Sequence, residues 1–361
     1  MRYYKIEITD ASGKPITFPS LQGSGAPPGV ITSALSDGTS NPAALNIELD
    51  LAVYGAAVGD TTSYVRIWGL SLAELASSFN LNGKNIKVSG GMAKGYPLAN
   101  PAQQGLLVQG QISQAFGNWI GTDMTLDMYL RPSVGTLDQP ANYTFTWAKG
   151  EQLSAMIART LKVVAPGQTQ RINISADRVA NQDKVGVYST LTQFAQMVAD
   201  QTKGQLGAND QGVTIATDGQ TVRVFENSTA KAAGAKQIAF QDLLGQVTWS
   251  EPGVVTAKLV MRGDLAIGDV LQFPQGLIVT TSQNAMSAYG GTGSQHPANA
   301  LTFSGTFQII QMQHWGNFRI PDAQAWNTTI SCALVQGAAA AGSGTATTPT
   351  GTATIESINV S

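Results

Sequence analysis

Through the first third of the chain, hydrophobic positions recur at every second residue. YYKIEIT, AALNIELDLAVY, YVRIWGL, KNIKVSGGM, GLLVQGQISQAF and DMTLDMYLR each alternate over several residues, with Gly, Pro, Asn and Asp between them. That is the pattern of half-buried strands. One short helix is predicted over 72–79, where Leu72, Leu75, Ala76 and Phe79 fall at helical spacing. Several strands and one small helix predict a closed or nearly closed antiparallel barrel over residues 1–134.

The period changes over residues 135–242. GEQLSAMIARTLK puts Leu153, Met156, Ile157 and Leu161 on one helical face, and YSTLTQFAQMVADQTKG does the same with Leu191, Phe194, Ala195, Val198 and Ala199. Thr190 and Gln193 have capping-box spacing, and Gly204 is placed to close the helix. GVTIA and TVRVFE follow as strands, joined by TDGQ, whose Asp218-Gly219 suits a hairpin turn.

Over residues 243–335 the period returns to two, in GQVTWS, VVTAKLVMR, DVLQFP, GLIVTT, FSGTFQIIQMQH and AWNTTISCALV. A long Gly/Ser/Asn-rich loop interrupts them. Residues 336–361 begin as low-complexity linker and finish in IESINV, where Ile355, Ile358 and Val360 mark a possible docking strand. The expected fold is mainly β with a small α+β insertion: two tandem, related antiparallel β-barrel domains flanking a middle α+β domain.

Two stretches repeat. QAFGNWIGTDMTLDMYL and QHWGNFRIPDAQAWNTTI both read Gln-x-aromatic-Gly-Asn-aromatic, and each follows an alternating strand. The shared positions are Phe116-Gly117-Asn118-Trp119 and Trp315-Gly316-Asn317-Phe318. Gly-Asn is turn chemistry, so equivalent turns are expected, with flanking aromatics packed across each strand pair. The first copy has Ala115 where the second has His314, so the histidine reads as part of a wall and not as a catalyst.

Composition narrows the function. Charged residues make up only 12% against 43% hydrophobic, with a net charge of −2. Surface polarity must come from Asn, Gln, Ser, Thr and Gly, as in a surface covered by neighbouring subunits or a polar β surface. No cluster of Lys and Arg is available to displace counterions from a duplex, which argues against sequence-specific nucleic-acid binding. Cys332 is the only cysteine, so no intrachain disulfide forms. The first residues, MRYYKIEITD, alternate like a strand and lack the apolar core of a signal peptide. No run approaches the ~20 apolar residues of a membrane span. Folding in a cytoplasm without membrane insertion is expected.

Chemistry is hard to find. With two histidines and one cysteine, no metal-ligand spacing appears, and no G-x-S-x-G elbow supports a triad. His296 reads as a solvated loop residue. Asp123, Asp127, Glu151 and Asp322 are candidates for paired-carboxylate glycoside hydrolysis, although a solvated strand face accounts for the first two. Gly90-Gly91 and Gly95 do not complete a phosphate loop, and Arg262-Gly263-Asp264 reads as a plain turn, not an adhesion tripeptide. Neither a catalytic residue, a metal nor a cofactor is expected.

RIWGLSLAELASSFNLNGKNIKVSGGM followed by GLLVQGQISQAF resembles the first domain of phage tail baseplate hub proteins. FTWAKGEQLSAMIARTL resembles their middle, and LAIGDVLQFP with GTFQIIQMQHWGNFR…AWNTTISC resembles their second barrel. That second barrel commonly carries a His-Gly-Asp-type turn before Arg and Trp, where this chain has His314-Trp315-Gly316-Asn317, then Arg319 and Trp326. The resemblance spans most of residues 1–335. It implies a homotrimer whose six barrel domains form a ring, similar to the hub part of type VI secretion spikes. Such a ring joins a hexameric tail tube or distal tail protein to a trimeric central spike. It implies a tape measure protein as a further partner, and DNA passing through the channel without specific binding. The location implied is the virion tail baseplate, assembled in the host cytoplasm. Two other readings stand beside it: another tail ring or tube protein, and a tail-borne cell-wall hydrolase or carbohydrate-binding module.

Overall fold

The computed structural model describes residues 2–56, 63–93, 100–131, 142–206, 210–217, 221–226, 234–251, 253–274, 305–322 and 324–335. The predicted strand GLIVTT, the Asp218-Gly219 turn, the loop holding His296, and the C-terminal Ile355, Ile358 and Val360 lie outside them.

The first repeat contains β1 (Arg2–Thr9), β2 (Val30–Thr32), β3 (Ile47–Tyr54), β4 (Ser63–Trp68), β5 (Asn85–Met92), β6 (Gly105–Ile120) and β7 (Asp123–Arg131). Alternation dictates which side is buried: Tyr4, Ile6 and Ile8 of β1, Ile47, Leu49 and Leu51 of β3, and Val65 and Ile67 of β4 enter one hydrophobic cluster. Burying each large aliphatic side chain contributes about 1.5–3 kcal/mol. A one-residue slip of β3 would turn three of them outward, so the register is firmly set.

The helix between β4 and β5 is shorter than predicted. It spans α1 (Leu72–Ala76), started by a capping box in which Ser71 and Glu74 satisfy each other's backbone N–H groups. A 3₁₀ turn, Ser78–Leu81, follows. Leu75 alone of the predicted face is buried in the core, whereas Leu72 and Phe79 are exposed.

The middle part carries α2 (Leu153–Val164) and α3 (Leu191–Thr202) with β8 (Tyr143–Trp147), β9 (Thr169–Asn173), β10 (Lys184–Tyr188), β11 (Thr214–Thr217) and β12 (Thr221–Phe225). The apolar faces read from the sequence are the buried ones: Leu153, Met156, Ile157 and Leu161 meet Phe194, Ala195 and Val198 in a separate cluster. Thr190 caps α3 by accepting from the Gln193 N–H. The Gln193 side chain reaches back to Ser189 instead of to the cap residue. Gly204, at φ +72°, ends the helix. Below the helices Arg178 is fully buried, donating to Asp210 at 2.6 Å, to Glu226 and to the Thr202 carbonyl at 2.7 Å. A charge so buried is tolerable only with such partners.

The second repeat contains β13 (Lys236–Gln237), β14 (Thr248–Glu251), β15 (Val254–Val260), β16 (Val270–Gln272), β17 (Phe307–Asn317) and β18 (Trp326–Leu334). Its core gathers Val255, Ala257, Leu259, Phe307, Ile309, Ile330 and Cys332.

The closed barrels expected from the strand pattern are not formed among the described residues. One 13-stranded sheet runs through both repeats in the order β14-β15-β18-β17-β3-β4-β7-β6-β5-β1-β2, with β16 on β17 and β13 on β16. No ladder joins β2 to β3 among these residues, because the outer edge of β3 is taken by β17. Within that sheet the repeats share one strand order: β3-β4-β7-β6-β5 in the first and β14-β15-β18-β17-β16 in the second. All of these pairs are antiparallel.

Candidate functional site

The two sequence motifs fall at matching places. Phe116–Trp119 lie near the end of β6, where Phe116 faces Asp127 and Gly117 faces Leu126 across β7. Trp315–Asn317 end β17, where Trp315 faces Asn327 and Gly316 faces Trp326 across β18. They are not turns. Neither glycine has positive φ, and both are strand residues. Close approach is what requires them. A Cβ on Gly117 would sit 2.7 Å from both the Cβ and the carbonyl oxygen of Leu75, which plugs the core from α1. One on Gly316 would sit 2.7 and 2.8 Å from ring carbons of Trp326. The turn of the first hairpin is made instead by Gly121, at φ +62°.

The flanking aromatics divide. Phe116 packs on Tyr129 with ring centroids 5.9 Å apart, across the strand pair as expected. Trp119 is 65% exposed at the hairpin tip, its Nε1 donating to the Gly121 carbonyl. Phe318 crosses to the first repeat and meets Tyr4 edge-on at 4.9 Å.

That crossing belongs to a seam between the repeats. β17 runs antiparallel to β3, from Gln311 opposite Tyr54 to Asn317 opposite Glu48. The Gln313 amide donates to Asp50 at 2.6 Å. Arg2 donates to the carbonyls of Asn317, Phe318, Ile320 and Asp322, gripping the tip of the second hairpin, while Arg319 donates to the Ala44 carbonyl at 2.8 Å. Trp326, buried, donates from Nε1 to the Gly91 carbonyl at 2.8 Å. Gly105 and Gly263 touch backbone to backbone, leaving no room for a Cβ on either. Arg262 is buried and paired with Asp264 and Asp242, which removes the adhesion reading of this tripeptide.

The chemical candidates do not converge. His314 is fully buried at the seam, opposite Leu51 of β3. Its Nδ1 lies 2.9 Å from the Thr328 hydroxyl, and its Nε2 has no partner among the described residues. Burial pushes its pKa down to about 3, so the ring is neutral. Burial likewise pushes the Cys332 thiol far up, and it stays protonated. Asp127 is not on the solvated strand face expected of it: it is buried and accepts from Tyr64, Arg66, Asn118 and Thr125. Its burial opposes ionisation, but the bonds from Tyr64, Arg66 and Asn118 outweigh it and hold the carboxyl below the usual range. Glu151 pairs with Arg159 at 2.6 Å in the middle part, and Asp322 caps the Gln324 N–H at 2.8 Å. Gly90 and Gly91 are strand residues of β5, not a loop. Among the described residues no group of three or more His, Cys, Asp or Glu could hold a metal ion. The residues that sequence reading missed are Arg2, Tyr64, Arg66 and Arg178, whose partners lie tens to hundreds of positions away and leave no local signal.

No protein-family model and no curated protein matches the sequence. Among solved structures, the chain is similar to a 43 kDa tail protein of prophage MuSo2 from Shewanella oneidensis: 9% identity, TM-score 0.48, covering 92% of this chain and 97% of that one. It is similar to a tail protein from Neisseria meningitidis MC58, at 9% identity and TM-score 0.45, covering 93% and 98%. A third similarity is to a Francisella PdpA-VgrG complex, at 6% identity and TM-score 0.46, covering 93% of this chain and 58% of that one.

Proposed function

We propose that this chain is a structural, non-enzymatic baseplate hub of a phage tail, a trimer whose six related β units form a ring. The ring joins a hexameric tail tube or distal tail protein to a trimeric spike. The division of the chain at residues 134, 242 and 335 belongs to the same proposal, although β13, at Lys236–Gln237, pairs ahead of the second boundary with β16 and so goes with the second repeat. One observation carries it: the repeats share a strand order, and inside the chain β3 of the first adds to β17 of the second. The equivalents of β3 and β17 are β14 and β6. β14 lies at one edge of the sheet, and beyond Gln111 β6 carries no strand opposite β7 among the described residues. A second copy adding its β14 to this β6 would repeat the internal seam, and strand addition of this kind needs backbone groups more than particular side chains. Three copies close a ring of six.

In this reading Phe116, Gly117, Asn118 and Trp119 stand at the seam between copies, as Trp315, Gly316, Asn317 and Phe318 stand at the seam within one. DNA would pass through with few phosphate contacts, and so without being held; Arg66 is already tied to Asp127. The test is native mass, of the purified protein alone and mixed with the spike protein of the same tail. The expected outcome is an assembly of three 37.7 kDa chains in at least one sample. A monomer persisting in both would refute the ring.

A further inference from the structure

A cleft of about 350 Å³ opens where the two repeats and the middle part meet, with Val53 from the first, Arg171 and Arg223 from the middle, and Lys236 and Asp269 from the second. We propose that it binds a small oxyanion with the charge and size of inorganic phosphate. The inference stands on this cleft alone and does not depend on the ring.

The local order is dictated by the parallel pairing of β9 with β12, which places Arg171 directly opposite Arg223. Neighbouring strands lie about 4.8 Å apart, and like charges set opposite each other across a ladder repel. The other face of this sheet is committed to the core, through Val222 and Val224, so register holds the two guanidinium groups together on the cleft side.

The carboxylates among the described residues do not satisfy them. Asp269 accepts from Lys236 at 2.8 Å and from the Ala266 N–H at 2.9 Å. Its other oxygen lies 3.6 Å from Arg223, an attraction of charges beyond hydrogen-bond reach. Asp264 spends both oxygens on Arg262, at 2.7 Å each. Arg262 also meets Asp242. Among the described residues, Arg171, Arg223 and Lys236 line the cleft with Asp269 and Asp264, and behind them Arg262 pairs with Asp264 and Asp242; these four cations and three carboxylates leave one positive charge. The Arg223 Nε is buried without an acceptor among the described residues, the kind of group that folding leaves unpaired only at a cost. An oxyanion between the two guanidinium groups would relieve the repulsion, accept from several N–H donors and neutralise the surplus charge. Planar guanidinium pairs are well suited to phosphate and carboxylate oxygens.

The experiment is isothermal titration calorimetry of inorganic phosphate into the full-length protein, with sodium chloride at matched ionic strength as the control. Wild type should bind one phosphate per chain, saturably, and its melting temperature should rise with phosphate but not with chloride. Arg171 is exposed, so Arg171→Gln should keep the phosphate-free melting temperature while weakening phosphate binding about tenfold or more. Arg223→Gln should weaken it similarly. Absence of saturable binding to wild type, or equal affinity in Arg171→Gln, would overturn the proposal.

Discussion

Lowering the pH from 7 to 5 should destabilise this protein through His314, and replacing that residue by leucine should remove the effect. In the unfolded chain the imidazole titrates near 6.5, and in the fold burial pushes it down to about 3. Between those values the unfolded chain holds a proton that the folded chain refuses, so unfolding takes up a proton. The contribution of the neutral ring to stability is therefore complete above pH 6.5 and is lost as the pH falls towards 3. At pH 5 the loss is about 2 kcal/mol, from 1.36 kcal/mol per pH unit below the unfolded value. Because pH 5 stays above the folded value, this cost is set almost wholly by the proton on the unfolded chain. Urea unfolding of wild type and His314→Leu at both pH values isolates the term, since every other titrating group is common to the two proteins. The wild type should lose about 2 kcal/mol more than the variant. At pH 7 leucine removes the unpartnered Nε2 but also the partner of the buried Thr328 hydroxyl, so the variant should be less stable than wild type by about 1 kcal/mol, an offset common to both pH values that leaves the difference in losses unchanged. Equal losses in the two proteins would refute the reasoning and mean that His314 accepts a proton inside the fold.

Two further outcomes test the seam and the first sheet. Gly316→Val should cost about 2–4 kcal/mol in urea unfolding, from overpacking against Trp326 and strain on its bond to Gly91; a change below about 0.5 kcal/mol would contradict the close-approach reading. Asp127→Ala strands the donors of Tyr64, Arg66, Asn118 and Thr125, and should cost about 2–3 kcal/mol at pH 7, read as a lowered urea midpoint.

Local spacing misleads at two places, for different reasons. Leu72 and Phe79 have helical spacing with Leu75, yet only Leu75 reaches the core; Phe79 misses it because the chain tightens into a 3₁₀ turn after Ala76, and Leu72, the first residue of α1, is left exposed. Gly117 and Gly316 read as turn residues because glycine permits positive φ. Their real reason is a neighbour: Leu75 in one case and the Trp326 ring in the other. A glycine looks the same in sequence whichever reason holds.

What the sequence determined by itself was local. Period-two alternation chose the buried side of β1, β3, β4, β15 and β18, and helical spacing chose the buried sides of α2 and α3, because each depends only on side chains a few positions apart. The aromatic-Gly-Asn-aromatic pair also marked two equivalent strand ends. Tertiary structure alone decided that β3 turns its free edge to β17, more than 250 positions away, and so joins the described strands of both repeats in one sheet. It alone brought four donors onto Asp127, set Arg171 beside Arg223, and buried His314 against Thr328. The physical reason is that every strand offers the same backbone donors and acceptors along its edges. The choice of partner therefore rests on the packing of the whole chain and leaves no mark in any one segment.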